Sequence, residues 1–234
     1  MTTRLLRWLS AITLRTFAVF GIAIVASVGF VVLAAEVRNG AVDQLDISIA
    51  WSIHRLDAPA WDVLMKGATL IGTSVILLPA LGLAMLLAIR RGRRAAAVIL
   101  IVDAVVAIVV NNLLKLVFSR ARPTLFDKIP MPADYAFPSG HAMSAMAIWG
   151  AIAAVLILLY PRAKVPLVVG AVVLIAAVGF SRIYLGVHWP FDVVGGFLGG
   201  IPPLAVTVHL LHRSQRAVHD RSLADLVADD DPGA

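Results

Sequence analysis

Six long apolar segments constrain what this chain can fold into more than any other feature of its sequence. A helix needs about 20 mainly apolar residues to cross roughly 30 Å of hydrocarbon. Six segments reach or approach this length, and the fifth is the shortest: 16–35, 68–89, 95–117, 142–160, 165–180 and 193–211. With 60% hydrophobic residues, well above a soluble domain, the sequence predicts an all-α, polytopic membrane protein with a six-transmembrane-helix bundle.

Lys and Arg residues are divided unequally between the two ends of these segments. Twelve of the 20 lie at the termini or in the even-numbered connections, including the RRGRR run at 90–94, and eight lie on the other face. Because Lys and Arg concentrate in loops that stay in the cytoplasm, we expect both termini to be cytoplasmic in a multi-pass plasma-membrane protein. This topology explains the net charge of +6, so no nucleic-acid partner is expected.

Three stretches bear on domain organisation. The first apolar segment follows basic residues as in a signal peptide, but it is longer than the apolar region of one, so we expect a retained span. Leu45, Ile49 and Ile53 recur at helical spacing, which predicts an interfacial helical segment between helices 1 and 2. Residues 1–212 are therefore predicted to form the membrane domain, and the polar residues 213–234 a disordered cytoplasmic tail.

Polar clusters follow the later spans, and all of them fall on the face opposite the termini. In the first cluster, Lys115 lies 21 residues after Arg94, about 31 Å along a helix, and Arg122 follows seven residues later. Two helical turns place both cations on one face, unless Pro123 has already ended the helix. In either case they converge at the membrane boundary, although such a pair also suits lipid headgroups alone.

The second cluster, PSGH at 138–141, predicts a helix N-terminus that binds an anion. Ser139 suits the N-cap position, and Gly140 lets the backbone approach a ligand. The exposed N–H groups and the helix dipole then attract negative charge. His141 stands beside this site in the sequence.

The third cluster ends the fifth span and begins the sixth. Arg182 is a third cation, and His188 stands four residues before Asp192, the spacing that places two side chains on one helical face. A carboxylate bonded to one imidazole nitrogen leaves the other nitrogen free to attack or to abstract a proton. Three cations beside a helix N-terminus suit a multiply charged oxyanion, which is phosphate.

At these positions the chain resembles the type 2 phosphatidic acid phosphatase superfamily, which includes bacterial membrane lipid phosphate phosphatases and the vanadium haloperoxidases. The family signature consists of three blocks, K-x6-RP, PSGH and SR-x5-H-x3-D. They stand here at 115–123, 138–141 and 181–192 without a departure at any defining position. The resemblance implies a six-helix membrane core with its site on the extracytoplasmic face.

The resemblance also implies a role for each signature residue. His188 would attack phosphorus to form a phosphohistidine, Asp192 would orient it, and His141 would protonate the leaving oxygen and later activate water. The phosphoryl oxygens would be held by Lys115, Arg122, Ser139, Gly140 and Arg182. We expect no cofactor and no metal, because three cations supply the charge and Asp192 is the single carboxylate in the blocks.

Four polar residues lie outside the signature positions. Asp127 and Asp134 are predicted to be solvated loop residues, and Arg120 is a candidate auxiliary phosphate contact. Asp103 lies inside the third span, where a carboxylate is either functional or paired within the bundle. The sequence offers no specific partner for it.

The sequence therefore predicts an integral membrane phosphatase whose partners are the bilayer and a lipid phosphate substrate. The candidate substrates are undecaprenyl diphosphate, phosphatidic acid, diacylglycerol diphosphate and phosphatidylglycerophosphate. Two alternatives stay open: a lipid phosphotransferase that uses the same residues, and a non-catalytic protein that binds or transports lipid phosphates. A haloperoxidase is disfavoured because the family members with that activity are soluble. The residues select neither a substrate nor an oligomeric state.

Overall fold

The structure is a computed structural model that describes residues 2–126 and 128–229, with side chains described at 14, 16–126 and 128–215. The described residues form nine α-helices and no strands: α1 Thr2–Arg38, α2 Asp43–His54, α3 Pro59–Ile71, α4 Ser74–Arg90, α5 Arg94–Phe118, α6 Gly140–Ser144, α7 Gly150–Leu159, α8 Lys164–Tyr184 and α9 Pro190–Asp229. A π-helical segment, Ala145–Trp149, joins α6 to α7, and a 3-10 turn, Pro161–Ala163, precedes α8. The prediction for Asp127 lies outside the described residues.

The predicted all-α membrane bundle is confirmed. Five helical stretches of the described chain are long and apolar enough to cross a membrane: Thr16–Arg38, Arg94–Phe118, Gly140–Leu159, Pro161–Tyr184 and Pro190–Gln215. The sixth candidate is the pair α3 and α4, which pass the same test together but meet at an angle of 48°, as in a broken span or a re-entrant loop. Gly72 and Thr73 stand at this bend.

The segment between the first two spans differs from the predicted single interfacial helix. It forms two helices, because α2 ends at His54 and α3 begins at Pro59. Proline lacks the N–H that a continuing helix needs, but it suits the first turn of a new one. If α3 and α4 form one span, it begins at Pro59, about nine residues before the predicted position 68.

α5 shows how the sequence places the bundle core. One face is buried at three- and four-residue spacing and carries Ala96, Leu100, Ala104, Ala107, Asn111 and Lys115. The opposite face exposes Val98, Val102, Val105 and Val109. A helix that is apolar all round suits a position between protein and lipid, and small buried residues let neighbouring helices approach closely. α5 packs in this way against α4 and α9, and Lys115 ends its buried face.

The carboxyl group of Asp103 is paired within the bundle, which is one of the two alternatives that the sequence left open. Asp103 is buried, and its Oδ1 accepts a hydrogen bond of 2.9 Å from Thr207 Oγ1 on α9. A polar partner of this kind lowers the cost of a carboxyl group at membrane depth.

α9 is longer than the sixth predicted span. It runs from Pro190 to Asp229 and passes the domain boundary predicted at residue 212. The predicted polar tail, 213–234, therefore begins within a helix, and residues 230–234 lie outside the described part of the chain. The disorder of this tail stays a prediction.

Close packing between α6 and α9 depends on a glycine. A Cβ atom added to Gly196 would stand 2.6 Å from the backbone oxygen of Ser139 and 3.1 Å from the backbone nitrogen of Met143. Backbone atoms cannot rotate out of the way as the end of a side chain can. Gly196 therefore sets how closely the start of α6 approaches α9.

We expect Gly196→Ala to lower the thermal unfolding temperature in detergent, because overpacking costs about 1–3 kcal/mol. Gly170→Ala in α8 is the matched control, since an added Cβ there meets nothing within 4 Å. Alanine also has the higher helix propensity, by roughly 1 kcal/mol, so this control should be unchanged or slightly stabilised. Unfolding followed by circular dichroism compares the variants, and an unshifted Gly196→Ala would contradict the close approach.

Candidate active site

Four helix ends meet at one boundary of the bundle. Lys115 lies in the last turn of α5 and Arg182 in the last turn of α8. Gly140 begins α6, and Asp192 lies in the first turn of α9. Two helices therefore end where two others begin, and the polar ends face the same side of the bundle.

The chain leaves α5 through a left-handed residue. α5 ends at Phe118, and Ser119 follows with φ +46°. Arg122 consequently lies in the following loop rather than on the helix, which is the second of the two geometries that the sequence allowed. It nevertheless returns to Lys115, because both cations bind the same residue of that loop.

Asp134 is this shared partner. It lies in the loop with its side chain 54% exposed, in line with the predicted solvated loop residue, but it also forms ion pairs that the prediction did not include. One carboxylate oxygen accepts from Lys115 Nζ, and the other accepts from Arg122 Nη2 at 2.5 Å. Burial raises the pKa of Asp134, but Lys115 and Arg122 outweigh this effect and lower the pKa to about 2. No fixed spacing relates Asp134 to the signature blocks, so the sequence pattern gave no signal for this contact.

His188 and Asp192 face each other without sharing a helix. His188 precedes Pro190, where α9 begins, yet its Nδ1 lies 3.5 Å from Asp192 Oδ2. Its Nε2 lies 3.1 Å from Arg122 Nη1. Because a guanidinium can only donate hydrogen bonds, we assign Nε2 as the acceptor and place the imidazole proton on Nδ1, toward Asp192.

The surroundings of His188 favour its neutral form. Its side chain is 2% exposed. Burial lowers the pKa of His188 well below its ordinary value, and the charges of Arg122, Arg182 and Lys115 lower it further. A neutral imidazole with an unprotonated Nε2 among three cations can act as a nucleophile or a base.

The start of α6 offers polar atoms that suit an oxyanion. Ser139 Oγ and Arg182 Nε are buried without a hydrogen-bond partner among the described residues. Such atoms are normally paired in a folded protein. A Cβ added to Gly140 would stand 2.9 Å from Asn111 Oδ1, so a larger residue here would require the Asn111 side chain to shift. Ser139 N donates to Asp192 O at 2.9 Å, which joins the start of α6 to the start of α9.

The remaining contacts place Arg182 and His141 near the bent span. Arg182 Nη1 donates to Thr69 Oγ1 on α3. His141 is partly buried, and a Cβ added to Gly72 at the α3–α4 bend would stand 3.1 Å from His141 Cδ2. The break in this span therefore leaves room for the imidazole of His141 beside the site.

Arg120 binds carboxylates, whereas the sequence suggested an auxiliary phosphate contact. Its Nη1 donates to Asp192 Oδ1 at 2.7 Å, and its Nη2 donates to Asp46 Oδ2 at 2.7 Å and to Asp43 Oδ1 at 3.0 Å. Asp46 is fully buried, although it lies in the helix predicted to rest on the membrane interface. The spacing of apolar residues in α2 does not reveal a buried carboxylate, so this contact was missed.

The arrangement can hold a multiply charged oxyanion beside an imidazole nitrogen. Lys115, Arg122 and Arg182 supply charge and donors, and Ser139 and Gly140 supply the helix N-terminus. Among the side chains that the structure describes, at 14, 16–126 and 128–215, no three His, Asp or Glu residues are placed to hold a metal ion together.

Comparison with known proteins finds relatives that cover most of the chain. Residues 95–216 match the PAP2 superfamily. Phosphatidylglycerophosphatase B of Bacillus subtilis is 32% identical over 190 residues, which cover 74% of this chain and 86% of that protein. An undecaprenyl-diphosphatase of Sulfolobus acidocaldarius is 37% identical over 122 residues, covering 50% of this chain and 55% of that protein.

A solved structure also resembles the fold. The crystal structure of a transmembrane PAP2-type phosphatidylglycerolphosphate phosphatase from Bacillus subtilis matches with a TM-score of 0.72 and 26% sequence identity. The match covers 85% of this chain and 96% of that one. The likeness therefore extends through most of the helical bundle rather than through the site alone.

Asp134 pairs with Lys115 and Arg122 as an added oxyanion would, so it should compete with one. A carboxylate that occupies the site lowers the binding affinity of every ligand that must displace it, and it lowers each affinity by the same factor. We expect Asp134→Asn to bind inorganic phosphate and vanadate about three- to tenfold more tightly, a gain of about 1 kcal/mol. Isothermal titration calorimetry in detergent measures both affinities.

Asp57→Asn is the matched control for this experiment. The Asp57 side chain is 47% exposed and pairs with Lys128, whereas the Asp134 side chain is 54% exposed. Each variant removes one loop carboxylate from a lysine, but only Asp134 contacts Lys115 and Arg122. The same gain in both variants, or different factors for phosphate and vanadate, would count against competition by Asp134.

Proposed function

The chain belongs to the PAP2 superfamily, and from this membership we propose that it hydrolyses the phosphomonoester or diphosphate of a membrane lipid through a phosphohistidine on His188. The enzyme is a lipid phosphate phosphatase of the multi-pass membrane type. One contact carries the mechanistic proposal, the 3.1 Å approach of Arg122 Nη1 to His188 Nε2. It sets the nitrogen that would attack beside a cation that would hold the phosphoryl group.

Substrate binding begins with an exchange of anions. The phosphoryl group takes the place of the Asp134 carboxylate between Lys115 and Arg122, whose donors already point there. Arg182 Nε and Ser139 Oγ, both buried without partners among the described residues, bind further phosphoryl oxygens. Charge on the equatorial oxygens of the transition state is thereby held by positioned donors, which is the main need of phosphoryl transfer.

In the first step, the lone pair of His188 Nε2 forms a bond to phosphorus while the bond from phosphorus to the leaving oxygen breaks. The electron pair of that bond goes to the leaving oxygen, which takes a proton from protonated His141. Asp192 stabilises the positive charge on the His188 ring through the Nδ1 proton that faces it at 3.5 Å. The leaving product of this step is the lipid without its phosphate when the substrate is a phosphomonoester, and the lipid monophosphate when the substrate is a diphosphate.

In the second step, water attacks the phosphorus of the phosphohistidine. His141, now neutral, takes a proton from the water as the new oxygen–phosphorus bond forms. The nitrogen–phosphorus bond breaks, its electron pair returns to His188 Nε2, and phosphate leaves. Both histidines are then in their starting protonation states, so the cycle balances without a metal or a cofactor.

The lipid that carries the phosphate belongs to a short list of candidates. The names of the two relatives, a phosphatidylglycerophosphatase and an undecaprenyl-diphosphatase, match two of the four substrates proposed from the sequence. Phosphatidic acid and diacylglycerol diphosphate are the other two. Phosphate release from all four lipids in detergent micelles ranks them by kcat/KM.

We expect His188→Ala to lower kcat by about 10³-fold or more, because the attacking atom is lost. His209→Ala is the matched control, since His209 lies on the same helix as Asp192 but packs against Phe20, with the ring centroids 5.1 Å apart, and it should keep full activity. His141→Ala should accumulate labelled phosphate on the protein if it slows the second step more than the first. Retained turnover in His188→Ala would exclude the covalent mechanism.

The same assay separates hydrolysis from transfer. With labelled substrate and an added lipid alcohol, hydrolysis yields free phosphate, whereas a phosphotransferase would yield the phosphorylated alcohol. A protein that only binds or transports lipid phosphates would yield neither, and it would tolerate His188→Ala. We expect free phosphate as the labelled product with and without the lipid alcohol.

We place the enzyme in the plasma membrane with its active site on the extracytoplasmic face and both termini in the cytoplasm. The distribution of Lys and Arg supports this orientation. The chain contains no cysteine, so single cysteines report topology directly. In intact cells, a membrane-impermeant maleimide should label Ala133→Cys, and it should label Pro161→Cys only after permeabilisation. The reverse pattern would overturn the orientation.

A further inference from the structure

The loop after α5 carries two arginines, and each of them contacts one member of the His188–Asp192 pair. Arg122 contacts the imidazole through His188 Nε2 at 3.1 Å, and Arg120 contacts the carboxylate through Asp192 Oδ1 at 2.7 Å. In an extended segment, residues two apart point the same way, and Pro123 favours an extended conformation before it. One short segment therefore reaches both members of the pair.

Arg120 is committed to carboxylates of the protein. Besides Asp192, its guanidinium binds Asp46 and Asp43, and its side chain is 11% exposed. Burial lowers the pKa of Arg120, but Asp192 and Asp46 outweigh it and raise the pKa above its ordinary value. Arg120 is therefore a fixed cation between two fully buried carboxylates, rather than a donor that turns toward the substrate.

Asp46 fixes the other side of this guanidinium. Its Oδ2 accepts from Arg120 Nη2 at 2.7 Å, and its Oδ1 accepts from the backbone N–H of Phe191 at 2.9 Å. Phe191 lies in the first turn of α9, one residue before Asp192. Asp46 thus holds both Arg120 and the turn from which the Asp192 side chain projects.

The carboxyl plane of Asp192 is set by two donors on different elements. Its Oδ2 accepts from the backbone N–H of Trp189 at 2.8 Å, and its Oδ1 accepts from Arg120 Nη1 at 2.7 Å. The same Oδ2 faces His188 Nδ1 at 3.5 Å. If Arg120 were removed, Oδ1 would lose its side-chain donor, and the carboxylates of Asp46 and Asp192 would repel each other without a cation between them.

We propose that Arg120 and Asp46 are positioning residues for the reaction, which act through Asp192 on the orientation of the His188 imidazole. Arg120 holds the Asp192 carboxylate in its charged, oriented form, and Asp46 holds Arg120. The inference rests on the proposed function, because it needs His188 to be the nucleophile. It assigns neither residue a contact with the phosphoryl group.

A double-mutant cycle tests whether Arg120 acts through Asp192. The assay measures kcat for phosphate release from short-chain phosphatidic acid and the inhibition constant of inorganic phosphate. We expect Arg120→Gln to lower kcat by about 10- to 100-fold and to change the inhibition constant by less than about threefold. In the Asp192→Asn background, Arg120→Gln should lower kcat by less than about threefold, since its target is already gone.

Two further variants test whether Asp46 acts through Arg120 and Arg120 acts through Asp192. We expect Asp46→Asn to lower kcat by about tenfold in the native background and to have almost no effect beside Arg120→Gln. Arg120→Lys should recover part of kcat, because an ammonium keeps the charge but cannot bind both carboxylates in one plane. A role confined to stability would give no such recovery and no such dependence on background.

Lys128→Gln is the matched control for Arg120→Gln, because it removes a cation from an ion cluster whose role is only structural. Lys128 lies in the same loop, its side chain is 9% exposed, and it also binds two carboxylates, Asp57 and Asp62. None of these residues contacts His188 or Asp192 in the described part of the chain. This variant should lower the unfolding temperature and leave kcat unchanged.

The possible failures are distinguishable. Losses that add in the Asp192→Asn background, or an inhibition constant that rises in step with the loss of kcat, would overturn the positioning role alone. Absence of turnover in the wild-type enzyme, or full turnover in His188→Ala, would overturn the proposed function and this inference with it. If Arg120→Gln does not fold, Asp46→Asn and Arg120→Lys complete the same cycle, and additive losses there would equally contradict the positioning role.

Discussion

Pairing of buried charge at the membrane boundary is the constraint on which this site depends. An unpaired ion taken out of water costs several kcal/mol, and the helix ends that form the site are largely buried. Lys115 and Arg122 are paired with Asp134, and Arg120 is paired with Asp46 and Asp192. The carboxylates are therefore as necessary to the arrangement as the cations.

The two sets of ion pairs differ in where their carboxylates lie, because one set has them on buried helices and the other has them in a half-exposed loop. Asp46 and Asp192 project from helices and are fully buried, so these two partners of Arg120 are out of reach of solvent. Asp134 lies in the loop between α5 and α6, and about half of its side chain is exposed. The same type of contact is thus buried on one side of His188 and half exposed on the other. This difference agrees with the proposed function, in which a bound anion replaces Asp134 while Arg120 keeps its partners.

Local patterns explain which features could be predicted from the sequence. Six apolar runs and the position of Lys115 at the end of α5 follow from helix length and spacing, and PSGH marks the start of α6 because proline, serine and glycine suit a helix entry. Contacts between distant residues have no such signal. Asp46 lies 74 residues from Arg120, and Thr207 lies 104 residues from Asp103. The burial that makes these carboxylates important exists only once α2, α5 and α9 pack together.

The hydrogen bonds at the start of α9 connect the start of α6, the His188–Asp192 pair and the loop after α5. Ser139 N donates to Asp192 O, and Gly196 lets α9 approach the backbone of α6, so the start of α6 and the His188–Asp192 pair are joined in one packed unit. The loop after α5 brings Arg120 and Arg122 to this unit from outside. α2 joins loop and unit together, because the Asp46 carboxylate binds Arg120 with one oxygen and Phe191 N with the other. A helix expected only to rest on the membrane surface therefore reaches, through Arg120, the carboxylate that faces His188.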